Sequence, residues 1–563
     1  MPYQSPNISD LSQQWHTLLH ELKSAMSFSQ LLYVISKVDN IRASFQTMNA
    51  LALINYDLNV SNNYYKFEVK RFNTYTPYFK QFENQFFQWL SESDYYNKLE
   101  AHFGKQWGFV AKFKASLHSD EVVLLQKQEE QVLQKYQALQ NTAMHYIDGR
   151  QVKLSDYWES PNRKERKKAH DAYWQFVDNR QSQIDFYVSN LVSIRHKIAQ
   201  TLGYENYTTL AYKNLKRFDI TFDNMHFFKT QIRLHIVPLM QKINFEKADN
   251  LNLLGLSYYD TSIHFFDGNA KPIGDEDSLV ATVDTLSARM HTKMTDFWEL
   301  LQEKGLYDFK SRKTKMVARG ATFGLPMYGY PFIKASLTGN AYDVNVLTHE
   351  LGHAFQYYLS EEKGQACYEY RMPGTDVAEV EAKAMEFLTW QWHDLFFAEN
   401  TAKFQKAKLI ETLQMLLRCA VNDDFQCFLY SNPTATAEER DTAYLQICES
   451  YFGDVNRNEN DFLKRGGHWR TQWNIADMPF YGMSYALAGF VALQLWWQSK
   501  KDWEGTWSKY MDLCSQGGSV GFTDLIKILE VNSPFELGAV PLFCQNLMKQ
   551  TLYDKITVEA TNS

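Results

Sequence analysis

The chain is short of the residues that staple, hinge or anchor a protein. Six cysteines (Cys367, Cys419, Cys427, Cys448, Cys514 and Cys544) are spread along 563 residues without a CxxC pair. That excludes a disulfide framework and a cysteine-based metal knuckle, and leaves core thiols in a reducing compartment as the expectation. Proline (13) and glycine (25) do not cluster into a linker, and there is no low-complexity tract or fixed-period repeat. Met1 to Asp10 is polar, without the charged and then apolar segments of a secretory signal. The longest apolar run, Tyr485 to Trp497, is interrupted by Gln494 and too short to span a bilayer. Neither charge dominates: 58 basic and 65 acidic residues are interspersed, the net charge is -7 and the pI about 6.1, so no nucleic-acid track or anionic-membrane face is proposed. The one basic run, Arg163 to Lys168, follows Ser160-Pro161, an N-cap and first-position pair, and reads as a solvated helix face. A cytoplasmic protein with neither nucleic-acid nor membrane partners is expected.

Apolar bulk is abundant. At 45% hydrophobic residues and this length, the chain can bury large cores and form more than one domain. From Leu11 to about Phe176 the periodicity is almost wholly helical, and Val122, Leu125, Val132, Tyr136 and Leu139 mark one helix face. Met144 to Leu154 reads as a small hairpin about Asp148-Gly149. With no composition shift to mark it, the boundary is set near 185, giving an N-terminal helical lobe (1–185) and a second region (186–563). Two stretches read as irregular, Tyr258 to Asp275 and Gly320 to Asn340. Within the second, Tyr330 to Leu337 forms a short strand, read as an edge on which an extended peptide can dock. The predicted fold is mainly α with this small β element.

Immediately after that strand comes His349-Glu350-Leu351-Gly352-His353. On a helix His349 and His353 are one turn apart and share a face, so two imidazole nitrogens converge on one zinc ion. Glu350, rotated about 100° from His349, lies beside the ion as a general base toward water. His16 and His20 have the same spacing but no glutamate after the first histidine, and are read as structural. A catalytic zinc needs a third protein ligand. The metzincin positions hold Gln356 and Leu359, and a glutamate nineteen or twenty residues after His353 would fall on Met372 or Pro373, so those classes do not fit. After Pro373-Gly374-Thr375 a helix begins that carries Asp376, Glu379 and Glu386 on or near one face, with Glu381 directed elsewhere.

His349 to His353, followed by Asp376-Val377-Ala378-Glu379 and then Glu386, resembles the thimet oligopeptidase and oligoendopeptidase F family of zinc peptidases. Tyr258-Tyr259-Asp260, Gly268-Asn269 to Pro272, Pro331-Phe332-Ile333, Pro479-Phe480-Tyr481 through Tyr485, and Gly517-Gly518-Ser519 extend the likeness, on the oligoendopeptidase F side, over roughly residues 160–540. The resemblance implies two helical lobes closing over a deep channel, one zinc ion held by His349, His353 and Glu379, and internal cleavage of short peptides. It also implies that Tyr485 donates to the substrate carbonyl, with Tyr481 one turn earlier as a further candidate. Asp376 is expected to support a zinc histidine. A histidine usual in the family, eleven residues before Tyr485, is replaced by Asn474, and His468 is the nearest substitute. A zinc amino- or carboxypeptidase is the competing enzymatic reading, and a catalytically silent peptide-binding scaffold the non-enzymatic one.

Overall fold

Helices that bury aromatic faces build nearly all of the protein, and the few strands serve one helix. The computed structural model describes residues 1–117, 119–140, 145–316 and 320–560; 72% of the chain is helical and 4% strand, so the expected mainly-α class holds. The smaller of two main cores is made by helices Ile8–Lys23, Phe28–Leu58, Asn63–Glu92 and Lys105–Ser116. Asn7, Ser27 and Asn62 each cap a helix by accepting a first-turn N–H. Trp15 packs against Phe79, Phe82 and Phe86, and Phe45 stacks on Phe79 at 4.0 Å.

The larger core runs from Val122 to Leu547. Its central element is helix Gly482–Ser499, which contains the apolar run and is buried from Ala486 to Trp496. Among the described residues no helix is long and apolar enough to cross a membrane. All six cysteines are unpaired and five are buried. Helix Asp120–Gln140 turns the expected face inward, with Val122 and Tyr136 buried. The cores separate between Ala111 and Val122, whereas position 185 falls inside helix Gln181–Thr201, whose Ile184, Val188 and Leu191 belong to the larger core.

The hairpin forms as read. β1 (His145–Ile147) pairs antiparallel with β2 (Arg150–Val152) through Asp148 (φ 50°) and Gly149 (φ 76°), the left-handed pair of a two-residue turn. Met144 lies outside the described residues. Helix Arg163–Asp178 is capped by Asn162 and not by Ser160. Its basic run is also less solvated than expected: Arg166 is buried, and with Arg163 it clamps the carboxylate of Asp260 at 2.7 and 2.8 Å.

The strand after Gly320 also differs. β3 (Tyr307–Asp308) runs parallel to β5 (Tyr330–Lys334), and β4 (Ala321–Leu325) pairs antiparallel with β5 on its other side, in the order β3-β5-β4. The strand read as an edge is therefore the central one, because two residues of β3, far upstream, cover its free side. β4 is the edge nearer the histidine helix, Ala341–Lys363. A Cβ on Gly320 would lie 2.6 Å from Glu350, and one on Gly324 would lie 2.4 Å from Tyr357. Four strand residues span about 13 Å and seven helical residues about 10 Å, so glycines four apart let strand and helix lie flush.

The two cores are tied together by buried charge. Arg42, 1% exposed, donates to Asp39 (3.0 Å), Glu83 (2.7 Å) and Glu369, and Lys334 pairs with Asp57. Glu369 lies in the loop that joins the histidine helix to the next one. Removing one member of a buried ion network leaves the others uncompensated. Arg42→Met is expected to lower unfolding stability by about 3–5 kcal/mol, read by denaturant titration.

Candidate active site

Helix Ala341–Lys363 begins at a reciprocal capping box between Asn340 and Asp343 and stops at Gly364 (φ 73°). Two turns in, His349 and His353 present their rings at 90° to each other with centroids 4.8 Å apart. Between them sits Gly352, where an added Cβ would lie 2.7 Å from Cα of Ala382 on helix Thr375–Leu388. The absence of a side chain there lets the helices approach closely enough for Glu379 to reach the histidines.

Nε2 of His349 lies 3.5 Å from Oε2 of Glu379, and Nε2 of His353 lies 3.9 Å from Oε1. His349, His353 and Glu379 are the one group of three such donors, all within 4.8 Å of one another, found among the described residues. Glu379 is 2% exposed; its Oε1 accepts from the Tyr481 hydroxyl, while its buried Oε2 has no hydrogen-bond partner. Two imidazole nitrogens facing an unsatisfied carboxylate oxygen fit a divalent ion that accepts nitrogen and oxygen, zinc first among them.

Glu386, one of the acids on the expected face, performs the role assigned to Asp376. Its Oε1 accepts from Nδ1 of His349 at 2.8 Å, which leaves Nε2 of that ring for the ion. Burial alone would raise the Glu386 carboxyl, but Lys383 at 2.8 Å and Lys408 at 3.4 Å hold it far below the usual range and ionised. Asp376 is engaged elsewhere: Arg217 donates Nε and Nη2 to it, both at 2.8 Å, and Ser484 donates at 2.7 Å. Glu381 is directed away, as expected, and burial without a side-chain partner pushes its carboxyl well up.

Glu350 is 6% exposed and accepts from the Thr322 hydroxyl of β4 at 2.7 Å. Burial raises its carboxyl above the ordinary value, against the opposing effects of His349 and the Thr322 hydrogen bond. A carboxylate so raised holds a proton closer to neutrality.

Tyr481 and Tyr485 stand at the head of helix Gly482–Ser499 with ring centroids 5.3 Å apart, and Tyr485 lies 6.4 Å from the His349 ring. The turn before them is held open by Phe480, fully buried at φ 64° with its N–H donated to Gln426 at 2.8 Å. A left-handed non-glycine residue persists only where packing over-determines it; here Tyr212 and Tyr430 pack on the ring. Asn474 is buried beside Gly482, 3.1 Å from the position of a Cβ there, and accepts from Asn422 at 3.0 Å. His468 is not brought to this group. It packs against Tyr444 and Trp174 and touches Cys448, and burial pushes it down to about 3. The nearby polar group at the tyrosine turn is Asn474, which already occupies the position in question.

The family model for the peptidase M3 N-terminal domain matches residues 1–117, and that for peptidase family M3 matches residues 279–538. PZ peptidase A, solved with an inhibitor, is 31% identical over 97% of each chain with a TM-score of 0.92. A protein assigned as oligoendopeptidase F is 30% identical, with 98% of this chain and 97% of that chain covered and a TM-score of 0.93. The chain belongs to peptidase family M3, on its oligoendopeptidase F branch. A protein from Bacillus anthracis str. Ames, also assigned as oligoendopeptidase F, is 29% identical over 98% of this chain and 97% of that chain, with a TM-score of 0.88. No curated protein sequence matches. The N-terminal match of this M3 metallopeptidase ends between its two hydrophobic cores.

Sequence spacing did not reveal Thr322, Lys383 or Lys408. Thr322 reaches Glu350 only through the pairing of β4, and Lys408 comes from a separate helix, Thr401–Ser431. Because Glu386 fixes the ring of His349, Glu386→Gln is expected to weaken zinc affinity about 10- to 100-fold, measured by competition with a chromogenic chelator.

Proposed function

We propose that this M3 peptidase is a zinc-dependent endopeptidase that hydrolyses internal bonds of short peptides. The observation that carries the reading is the unsatisfied Oε2 of Glu379, buried opposite the histidines, with the buried carboxyl of Glu350, held by the Thr322 hydroxyl, one residue from His349. A single zinc ion held by His349, His353 and Glu379 would supply Lewis acidity, acidifying water and polarising a peptide carbonyl.

The residues divide the remaining work. Glu350 takes a proton from the attacking water and returns it to the departing amine, with Thr322 fixing its orientation. Tyr485 donates to the oxygen on which charge builds, and Tyr481 holds Glu379 in place. The edge strand β4 offers main-chain pairing to an extended substrate beside Glu350, independent of side-chain identity. The helical lobe and the larger lobe are expected to enclose the histidine helix, so that short flexible peptides reach it and folded proteins do not. Six unpaired thiols suit the cytoplasm.

The deciding experiment is mass-spectrometric digestion of a peptide library with blocked and free ends, with and without chelator. Internal cleavage of doubly blocked peptides is expected, lost on chelation. Cleavage restricted to peptides with a free end would make the enzyme an exopeptidase, and no cleavage at all would leave a binding scaffold. Glu350→Gln is expected to keep its zinc and lose turnover by about two to four orders of magnitude, checked by metal analysis beside steady-state rates. Tyr485→Phe is expected to lower kcat about a hundred- to a thousand-fold with little change in KM or zinc content.

A further inference from the structure

Glu379 and Tyr485 stand on different helices, Thr375–Leu388 and Gly482–Ser499, and the reaction proposed above needs both beside one carbonyl. Besides the Tyr481 hydroxyl on Glu379, one charged side chain joins the two helix heads. Arg217 donates Nε to Oδ2 of Asp376 and Nη2 to Oδ1, each at 2.8 Å; Nη2 also lies 3.3 Å from the Ser484 hydroxyl, which itself donates to Oδ1 at 2.7 Å. Asp376 precedes Glu379 by about one turn of the first helix, and Ser484 immediately precedes Tyr485 on the second. The Arg217 side chain and Ser484 are wholly buried and Asp376 nearly so, which holds this paired geometry without competition from water.

The segment that carries Arg217 is braced against the same joint. Helix Tyr207–Asn214 ends in two bonds, Lys216 N–H to Lys213 C=O and Arg217 N–H to Tyr212 C=O, both at 3.0 Å, which wrap its last turn around Lys216 at φ 55°. Glycine ordinarily takes that left-handed position, and a lysine persists there only where its surroundings over-determine it. Here Leu215 C=O accepts the Thr375 N–H at 3.3 Å and Lys216 Nζ donates to Met372 C=O at 2.8 Å. Gly374 brings the chain so near that an added Cβ would lie 3.3 Å from Cβ of Lys216. The guanidinium of Arg217 lies 4.7 Å over the Tyr212 ring, which packs in turn on Phe480, the left-handed residue just before Tyr481.

The contacts of this one residue reach the first turn of the Glu379 helix, the residue beside Tyr485 and the turn before Tyr481. The geometry points to Arg217 as a positioning residue for the reaction: resting on the zinc endopeptidase reading, it sets the tyrosine helix against the donor helix so that the Tyr485 hydroxyl is aimed at the oxygen on which charge builds. It acts through Asp376 and Ser484 and not by contact with substrate. A lysine keeps the charge but cannot make the two parallel bonds, so Arg217→Lys should retain fold and zinc while the tyrosine helix loses its setting.

The test is a double-mutant cycle on the full-length, zinc-loaded protein: wild type, Arg217→Lys, Tyr485→Phe and the two combined. Each is measured for kcat and KM on one cleaved peptide and, by calorimetry, for affinity toward a phosphinic peptide, whose tetrahedral phosphinate carries its charge where the attacked carbonyl builds it. Arg217→Lys is expected to lower kcat about 10- to 100-fold, the cost of an ångström-scale misplacement, with KM and zinc affinity changed by no more than about twofold. The phosphinate should weaken by a similar factor, and in the Tyr485→Phe background Arg217→Lys should cost nothing further by either measure. Ser484→Ala, which spares the Arg217–Asp376 pair, should repeat the pattern at smaller amplitude and decides the matter if Arg217→Lys does not fold. Losses that multiply across the cycle, a loss confined to KM, or a fall in zinc affinity that accounts for the lost rate would overturn the inference and leave the peptidase reading intact. A wild-type protein that binds the phosphinate but cleaves no peptide would overturn the peptidase reading, and the cycle in phosphinate affinity would still decide for or against Arg217. One that does neither would overturn both.

Discussion

The site depends on the contact between Gly352 and Ala382. Two helices joined by a loop contribute the three donors, and their separation at this point decides whether Glu379 comes within reach of His349 and His353. Even a methyl group on Gly352 would meet backbone. The glycine in the histidine motif is thus a packing requirement, and the side chain that a helix would ordinarily place there is given up for proximity. β4 meets the same helix through Gly320 and Gly324, so the helix is approached closely from both sides and has little freedom to roll.

Around that contact, one residue type does three different things according to its neighbours. Glu386 is buried among two lysines and a histidine and stays ionised, so it can hold an imidazole N–H. Glu379 and Glu350, as deeply buried but with fewer cationic partners, are pushed toward protonation by burial, which gives them reason to bind a cation or to carry a proton. Lys383 and Lys408 make the distinction, and neither touches the motif itself.

Much of this was legible in the chain. The histidine helix, its neighbouring acidic helix and the Asp148-Gly149 hairpin follow from local rules of spacing and turn chemistry, and resemblance supplied Glu379 and the two tyrosines. What escaped was set by distant partners. Asp376 and Glu386 lie on one face of one helix, and Arg217, 159 residues upstream, with Ser484, 108 residues downstream, decides that Asp376 is engaged elsewhere. The central position of β5 depends on two residues at 307–308 that have no strand signature of their own. The basic run after Ser160 looks solvated until Asp260 is folded against it. The division between cores lies near 117 because helix Asp120–Gln140 has its apolar partners on Gln181–Thr201, and helical periodicity alone does not say which core a helix joins.

The smaller core has a bearing on how this architecture can be taken apart. Leu325, Cys367 and Tyr370 are chemically members of it although they lie hundreds of residues downstream, on β4 and in the loop between the two donor helices. The N-terminal lobe is therefore not a detachable cap. A fragment beginning after residue 117 would carry an apolar scar on the very loop that separates His353 from Glu379, with Glu369 stripped of its arginine. Insertion, permutation or swapping of the small lobe would act on the geometry of the donors through that loop, which makes the first 117 residues part of the active-site scaffold even though none of the donors belongs to them.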